Sequence, residues 1–127
     1  MIFEVHTTKP MEAIAQGLEQ AAARHKFGIL VVHDLQQTLR NKGVEMEREV
    51  RIFEVCNPHQ AKKAIEADPR ISTALPCRIS VFRSGDGYTL ATLLPTEMMK
   101  GFGAPAMDRT AREVEDVLTA MMREAAG

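Results

Sequence analysis

The sequence predicts an α+β two-layer sandwich: one mixed or mostly antiparallel sheet of about five strands, with helices packed on a single face. Three observations carry this. Runs rich in β-branched and aromatic residues alternate with helical stripes in the order β-α-β-α-β-α-β-β-α. Two late strands are joined by a tight Gly-Asp-Gly turn and not by a helix. No internal repeat, charge run or linker interrupts the 127 residues, so a single domain over 1–127 is expected.

The elements follow in chain order. "IFEV" at 2–5 is a short strand. Thr8, Pro10 and Glu12 then supply a capping hydroxyl, a ring with preset φ and an acid for a first helical turn. Met11, Ile14, Ala15, Leu18, Ala21, Ala22 and His25 fall on one 3.6-residue stripe, and "KFG" ends it. "ILVV" at 29–32 is apolar throughout, which predicts a strand at the centre of the sheet. Asp34 and Gln37 form a reciprocal cap for a short helix that Gly43 closes. "VRIFEVC" at 50–56 is the third strand. Asn57 as N-cap, Pro58 at the first helical position and Gln60 reaching back predict a helix that runs to Asp68-Pro69. "CRISVFR" and "YTLATLL" pair through "SGDG", where Gly85 and Gly87 supply positive φ. "PTEMMKGFGAPA" reads as a loop with one helical turn. A last helix from Thr110, with Glu113 as its capping partner, puts Ala111, Val114, Val117, Leu118, Met121 and Ala125 on one face.

Composition excludes several function classes. Sixteen Lys and Arg against seventeen Asp and Glu give a net charge of −1, without the basic field that holds a nucleic acid or an acidic membrane. With no Trp and one Tyr, platforms for stacking bases are missing as well. Apolar stretches fall far short of the roughly 20 residues that cross a bilayer. The N-terminus lacks the basic and apolar regions of a signal peptide, and two cysteines are too few for a secreted disulfide framework. A cytoplasmic protein with reduced thiols is expected.

"FGILVVHDLQQTLRNKG", "CNPHQAKKAIEADPRISTALPC" and the "GDG" hairpin occur in this order in one chain. Together they resemble the domain-of-unknown-function family numbered 302. The specific pieces are Phe27-Gly28, Asp34 with Thr38-Leu39, Cys56-Asn57-Pro58 and Leu75-Pro76-Cys77, and the resemblance spans about residues 3 to 125. It implies a compact α+β domain, often dimeric, with no established activity. A homodimer is also expected on physical grounds, because helices on one side leave the other side of a small sheet uncovered.

Chemistry concentrates in few places. Cys56 ends a strand directly before a helix N-terminus, where amide dipoles lower a thiol pKa and hold anions; equally, a buried Cys packs as a small hydrophobe, or the two cysteines form a disulfide. Cys77 starts the next strand, so the two thiols share one end of the sheet only if their strands are antiparallel. His33 ends an apolar strand beside Asp34, a carboxylate that either orients the ring or caps the next helix. His6, His25 and His59 complete the histidines, and none shows the i, i+4 spacing of a zinc helix or follows a haem-attachment cysteine pair. "GFGAP" lacks the strand and the Lys-Ser/Thr of a phosphate loop. Met98, Met99, Phe102 and Met107 make an apolar, adaptable surface that reads first as a subunit contact.

The expected site therefore comprises Cys56, Asn57, Cys77, His33, Asp34 and Met98. It is expected to take an anion or a small apolar molecule in a ligand-binding or redox-responsive module. A thiol-dependent enzyme or sulfur carrier using Cys56 or Cys77, with His33 as base, is the alternative from another class. A structural or partner-binding domain without a small ligand is the third. Haem or metal binding ranks last, and the sequence specifies no cofactor.

Overall fold

A computed structural model describes residues 1–127. The elements are β1 (Ile2–Thr7), α1 (Met11–Arg24), β2 (Gly28–Asp34), α2 (Leu35–Asn41), β3 (Val50–Cys56), α3 (Pro58–Ala67), β4 (Cys77–Ser84), β5 (Gly87–Leu93), α4 (Pro95–Met99) and α5 (Asp108–Ala126). Short 3-10 segments occupy Pro69–Ala74, Lys100–Phe102 and Pro105–Met107. The five strands form one sheet in the order β1-β5-β4-β3-β2, and every neighbouring pair is antiparallel. This is the α+β sandwich that the sequence predicts.

The strand order corrects one expectation. The apolar "ILVV" strand, β2, is not central: it is an edge strand that pairs with β3 alone. Leu30, Val31 and Val32 are 59%, 46% and 46% exposed, and the ladder slips between Ile29 and Val31 so that Leu30 bulges out. Apolar side chains on both faces of a strand record what they lack contact with as readily as what they touch, and strand order is set by pairing instead.

The main core lies between one sheet face and two helices. Ile14, Leu18 and Ala21 from α1 and Leu118, Met121 and Met122 from α5 meet Phe53, Val55, Ile79, Val81 and Leu90 from the strands, with almost no exposure. Each large side chain so buried stabilises the fold by roughly 1.5–3 kcal/mol. The alternate strand positions Ile52, Ser80, Phe82, Thr89 and Ala91 belong to neither apolar cluster of the protein and face the opposite side. The two core helices lie close because Gly17 presents no side chain: a Cβ there would stand 3.0 Å from the Ala125 Cα. Glu124 ties them together at one end, meeting Arg24 Nη2 and His25 Nε2 each at 2.8 Å. These hydrogen bonds, His25's foremost, hold the Glu124 carboxyl below the usual carboxylate range.

The starts of α1, α5 and α2 depart from expectation. Pro10, with no side-chain cap, precedes α1, and Thr7, not Thr8, provides the local hydroxyl, accepting the Lys9 amide at 3.2 Å. Helix α5 begins at Asp108 because the turn at Pro105–Met107 feeds straight into it, which puts Thr110 inside the helix. Asp34 does cap α2 through the Gln37 amide, but the Gln37 side chain turns forward to Asn41. Helix α1 ends in a Schellman turn, with the Phe27 amide on the Ala22 carbonyl at 2.8 Å and Lys26 at a φ of 61°.

The hairpin uses its glycines differently from each other. Gly85 adopts a φ of 53°, as the turn demands. Gly87 sits in β5 and is needed for space: a Cβ there would stand 2.0 Å from the Thr7 carbonyl oxygen. Thr7 in turn donates its hydroxyl to the Ala126 carbonyl at 2.9 Å, fastening the C-terminal end of α5 to the sheet. Gly87→Ala is therefore expected to lower the unfolding free energy by about 2 kcal/mol or more in urea denaturation, since neither backbone can yield without breaking the β1–β5 ladder. A loss below about 0.5 kcal/mol, the range of an innocuous surface change, would contradict this account.

Candidate functional site

The site grows from the β3–β4 register. Val55 stands opposite Cys77, so the chain that leaves β3 at Cys56 must return to the same sheet end twenty residues later. On the way it builds α3 and the Pro69–Ala74 turn, which with α4 and the start of α5 enclose a second apolar cluster of Ala64, Ile71, Met99, Met107 and Ala111. A cleft remains at the seam between this cluster and the main core. Phe27 and Val55 line it from the sheet side, Ala61 and Ala64 from α3, Met98 and Met99 from α4, and Ala111 and Val114 from α5.

Polar side chains fix these walls. Asn57 caps α3, its Oδ1 accepting the His59 amide at 3.0 Å and the Gln60 amide at 3.1 Å, while its Nδ2 donates to the Lys26 carbonyl at 3.3 Å. Helix α4 is fastened to α5 by Thr96, whose amide and hydroxyl both donate to Glu115 Oε1, at 3.1 and 2.6 Å. The Gln60 side chain does not reach back as a capping box: its Nε2 donates to Glu113 Oε2 at 3.1 Å, bridging α3 to α5. Gln60 Oε1 is left buried with no hydrogen-bond partner, and Gln60 lines the cleft with Asn57 and Thr110 among mostly apolar side chains. An unsatisfied buried acceptor of this kind costs roughly 1–3 kcal/mol.

The cleft offers about 60 Å³ to the centres of water-sized molecules. A single water needs roughly 10–15 Å³ on that measure, so the space suits a few waters or one short organic chain and is too small for a tetrapyrrole. A second, larger hollow of about 240 Å³ lies against it, lined by Thr73, Pro76, Arg78, Thr92 and Leu93, and shares Ala74, Leu75, Cys77 and Met98 with the first.

Four of the expected site residues, Cys56, Asn57, Cys77 and Met98, meet at this cleft. The other two do not. His33 stands opposite Ile52 on the edge strand, four residues along β3 from Cys56, or about 13 Å at the usual rise per residue. Its Nε2 hydrogen-bonds Glu54 Oε1 at 3.0 Å, so Glu54 and not Asp34 orients the ring. Asp34 is occupied as the cap of α2. The methionines also take another role than the surface contact expected of them. Met99 and Met107 are 9% and 5% exposed and form the inner wall of the cleft.

Both thiols are free. Of the alternatives for Cys56, a thiol pKa lowered by the following helix is not found. Asn57 already takes the amides of the first turn, and burial pushes the Cys56 thiol up. Cys77, packed against the main core, is driven from 9.0 to about 11 by burial first and the charge of Cys56 second. No group of three or more His, Cys, Asp and Glu side chains is placed to hold a metal ion. No helix is long and apolar enough to cross a membrane.

A family model described as "Domain of unknown function DUF302" matches residues 3–125. The chain belongs to the DUF302 family. Among solved structures, it is similar to an uncharacterized conserved DUF302 protein from Bacillus stearothermophilus, with a TM-score of 0.91, 23% identity, and coverage of 98% of this chain and 97% of that one. That likeness establishes the shared DUF302 fold. No curated protein matches the chain at a significant level.

A thiol whose folded pKa is raised stabilises the fold below its unfolded pKa, and that contribution is lost as pH climbs through the folded value. Stability is therefore expected to fall between about pH 9 and pH 11, and Cys77→Ala should flatten this alkaline limb in denaturation curves taken across that range. Iodoacetamide should label Cys77 in the folded protein about tenfold or more slowly at pH 8 than it labels a free cysteine. Rapid labelling of Cys77 in the native state would refute the assignment.

Proposed function

We propose that this DUF302 protein is a binding module for a small, largely apolar molecule, held in the cleft between its two apolar clusters. The observation that carries the reading is a mostly apolar cleft lined by Gln60, whose buried Oε1 lacks a partner, an acceptor that a ligand's hydroxyl would satisfy after a small shift of the side chain. Anion capture at the start of α3 fits less well, because Asn57 already occupies the amides. Nucleophilic thiol catalysis also fits less well. Both sulfurs are held protonated at neutral pH, and His33 is bound to Glu54 on the edge strand. The reading takes the thiols as reduced, as in a cytoplasmic setting.

The test is a titration of the isotope-labelled protein with 1-octanol, followed by amide chemical shifts. Shifts are expected to be concentrated at Phe27, Ala61 and Ala111, and Gln60→Met should weaken binding about fivefold or more through the lost hydrogen bond. Absence of saturable shifts at those residues would overturn the reading.

We also propose that the protein is a homodimer, paired through β2. Supporting this are the exposed Leu30, Val31 and Val32 and the unpaired outer backbone of that strand. An antiparallel strand is its own complement about a twofold axis, so a second copy fits without further design. Sedimentation velocity is expected to give a dimer at tens of micromolar, and the double change Val31→Lys with Val32→Lys a folded monomer. A monomeric wild-type protein would rule this out.

A further inference from the structure

We infer that the cleft selects an uncharged head group that both donates and accepts a hydrogen bond, read by Gln60 and Thr110 together, with the ligand's apolar tail toward Met98. This inference rests on the binding function proposed above and specifies the ligand's chemistry within that one cleft. Three observations carry it.

The polar side chains of the lining are gathered in one corner. Asn57 and Gln60 come from the start of α3, and Thr110 from the first turn of α5. Gln60 Nε2 donates to Glu113 Oε2 at 3.1 Å, and Thr110 precedes Glu113 by three residues on α5. Positions three apart are neighbours on a helix surface, so the hydroxyl and the carboxamide stand where the two helices are bridged. The wall shared with the outer hollow, formed by Ala74, Leu75, Cys77 and Met98, contains none of these three side chains. A ligand lying wholly within the cleft therefore meets a polar end and an apolar end.

Two of the three polar groups are unsatisfied. Asn57 is not one of them, since its Oδ1 and Nδ2 are both engaged. Gln60 Oε1 is a buried acceptor with no partner. The Thr110 hydroxyl also makes no hydrogen bond within the protein, unlike Thr119 in the same helix, whose hydroxyl donates to the Glu115 carbonyl at 3.0 Å. The residue four places before Thr110 is Ala106, which lies in the turn preceding α5, so the usual helical acceptor is displaced. A carboxamide oxygen only accepts, so the head group must donate to Gln60, and Thr110 is left to donate to the head group. An alcohol meets both demands and an ether only one.

Finally, the cleft holds no charge. No Asp, Glu, Lys, Arg or His side chain lines it, and burial keeps both thiols neutral. A carboxylate or an ammonium would lose its water there with no counter-ion in exchange.

Four probes are to be compared by amide shift titration at neutral pH: 1-octanol, heptyl methyl ether with the same number of heavy atoms, octanoate and octylamine. Wild-type protein should bind 1-octanol about fivefold or more tightly than the ether, and both charged probes more weakly than either. Thr110→Val should weaken 1-octanol and the ether alike, with Thr110→Ser restoring both, whereas Gln60→Met should weaken 1-octanol and spare the ether. Retained ether binding also shows that the Gln60→Met cleft is intact. Intermolecular nuclear Overhauser effects should join the hydroxymethylene of 1-octanol to the Thr110 methyl and its terminal methyl to the Met98 thioether methyl. Equal affinity for 1-octanol and the ether, a Thr110→Val protein that binds both as before, a charged probe that matches 1-octanol, or the reverse orientation overturns this inference and leaves the apolar cleft standing. Failure of all four probes to shift Phe27, Ala61 and Ala111 removes the cleft and this inference together.

Discussion

The pairing of β3 with β4 is the constraint on which the site depends. Once Val55 is fixed opposite Cys77, the intervening chain has to leave and re-enter the sheet at one end. It cannot do so as bare loop, because that many backbone amides and carbonyls need partners away from water. Helix α3 and the turn at Pro69–Ala74 satisfy them locally, and each then has an apolar side to bury. The main core is already filled by α1 and α5, so these sides close on α4 and the first turns of α5 instead. Two cores that are each well packed do not merge perfectly, and the cleft is the residue of that mismatch.

The same arrangement decides the chemistry of the cleft. A helix N-terminus beside a cysteine ordinarily makes an electropositive pocket. Here the amides of the first turn are spent on Asn57, whose side chain is also held by the Lys26 carbonyl after the left-handed turn that ends α1. With that field consumed internally, burial dominates and both thiols stay neutral. Gln60 shows the opposite outcome: one end of its carboxamide is committed to Glu113 and the other is left without a partner. A protein retains such an unsatisfied atom when something outside the chain completes it, or when the bridge from α3 to α5 outweighs its cost.

What could be read from the sequence was local. Asn57-Pro58, Asp34 and the Gly85 turn state their geometry in a few consecutive residues, and each element stands where that chemistry puts it. The union of Cys56, Asn57, Cys77 and Met98 at one sheet end was legible only as a consequence of antiparallel pairing, which the residues left open. Features decided between distant segments were not legible. The apolar character of β2 says nothing about whether β4 or solvent lies beside it, and Gln60 satisfies a capping pattern while its side chain finds a stronger partner fifty-three residues away. The turns at Pro69–Ala74 and Pro105–Met107 are too short to show a hydrophobic period.

The two faces of the β3–β4 ladder carry this distinction into function. Toward the helices, Val55 and Cys77 are neutral and buried and give shape to a cavity. On the opposite side, Glu54 faces Arg78 in register, the arrangement that normally yields a cross-strand ion pair. His33 takes the Glu54 carboxylate from the edge strand, and Arg78 is left without an ion-pair partner. By holding Glu54, His33 fixes the edge strand to β3 on the sheet face that the helices leave open.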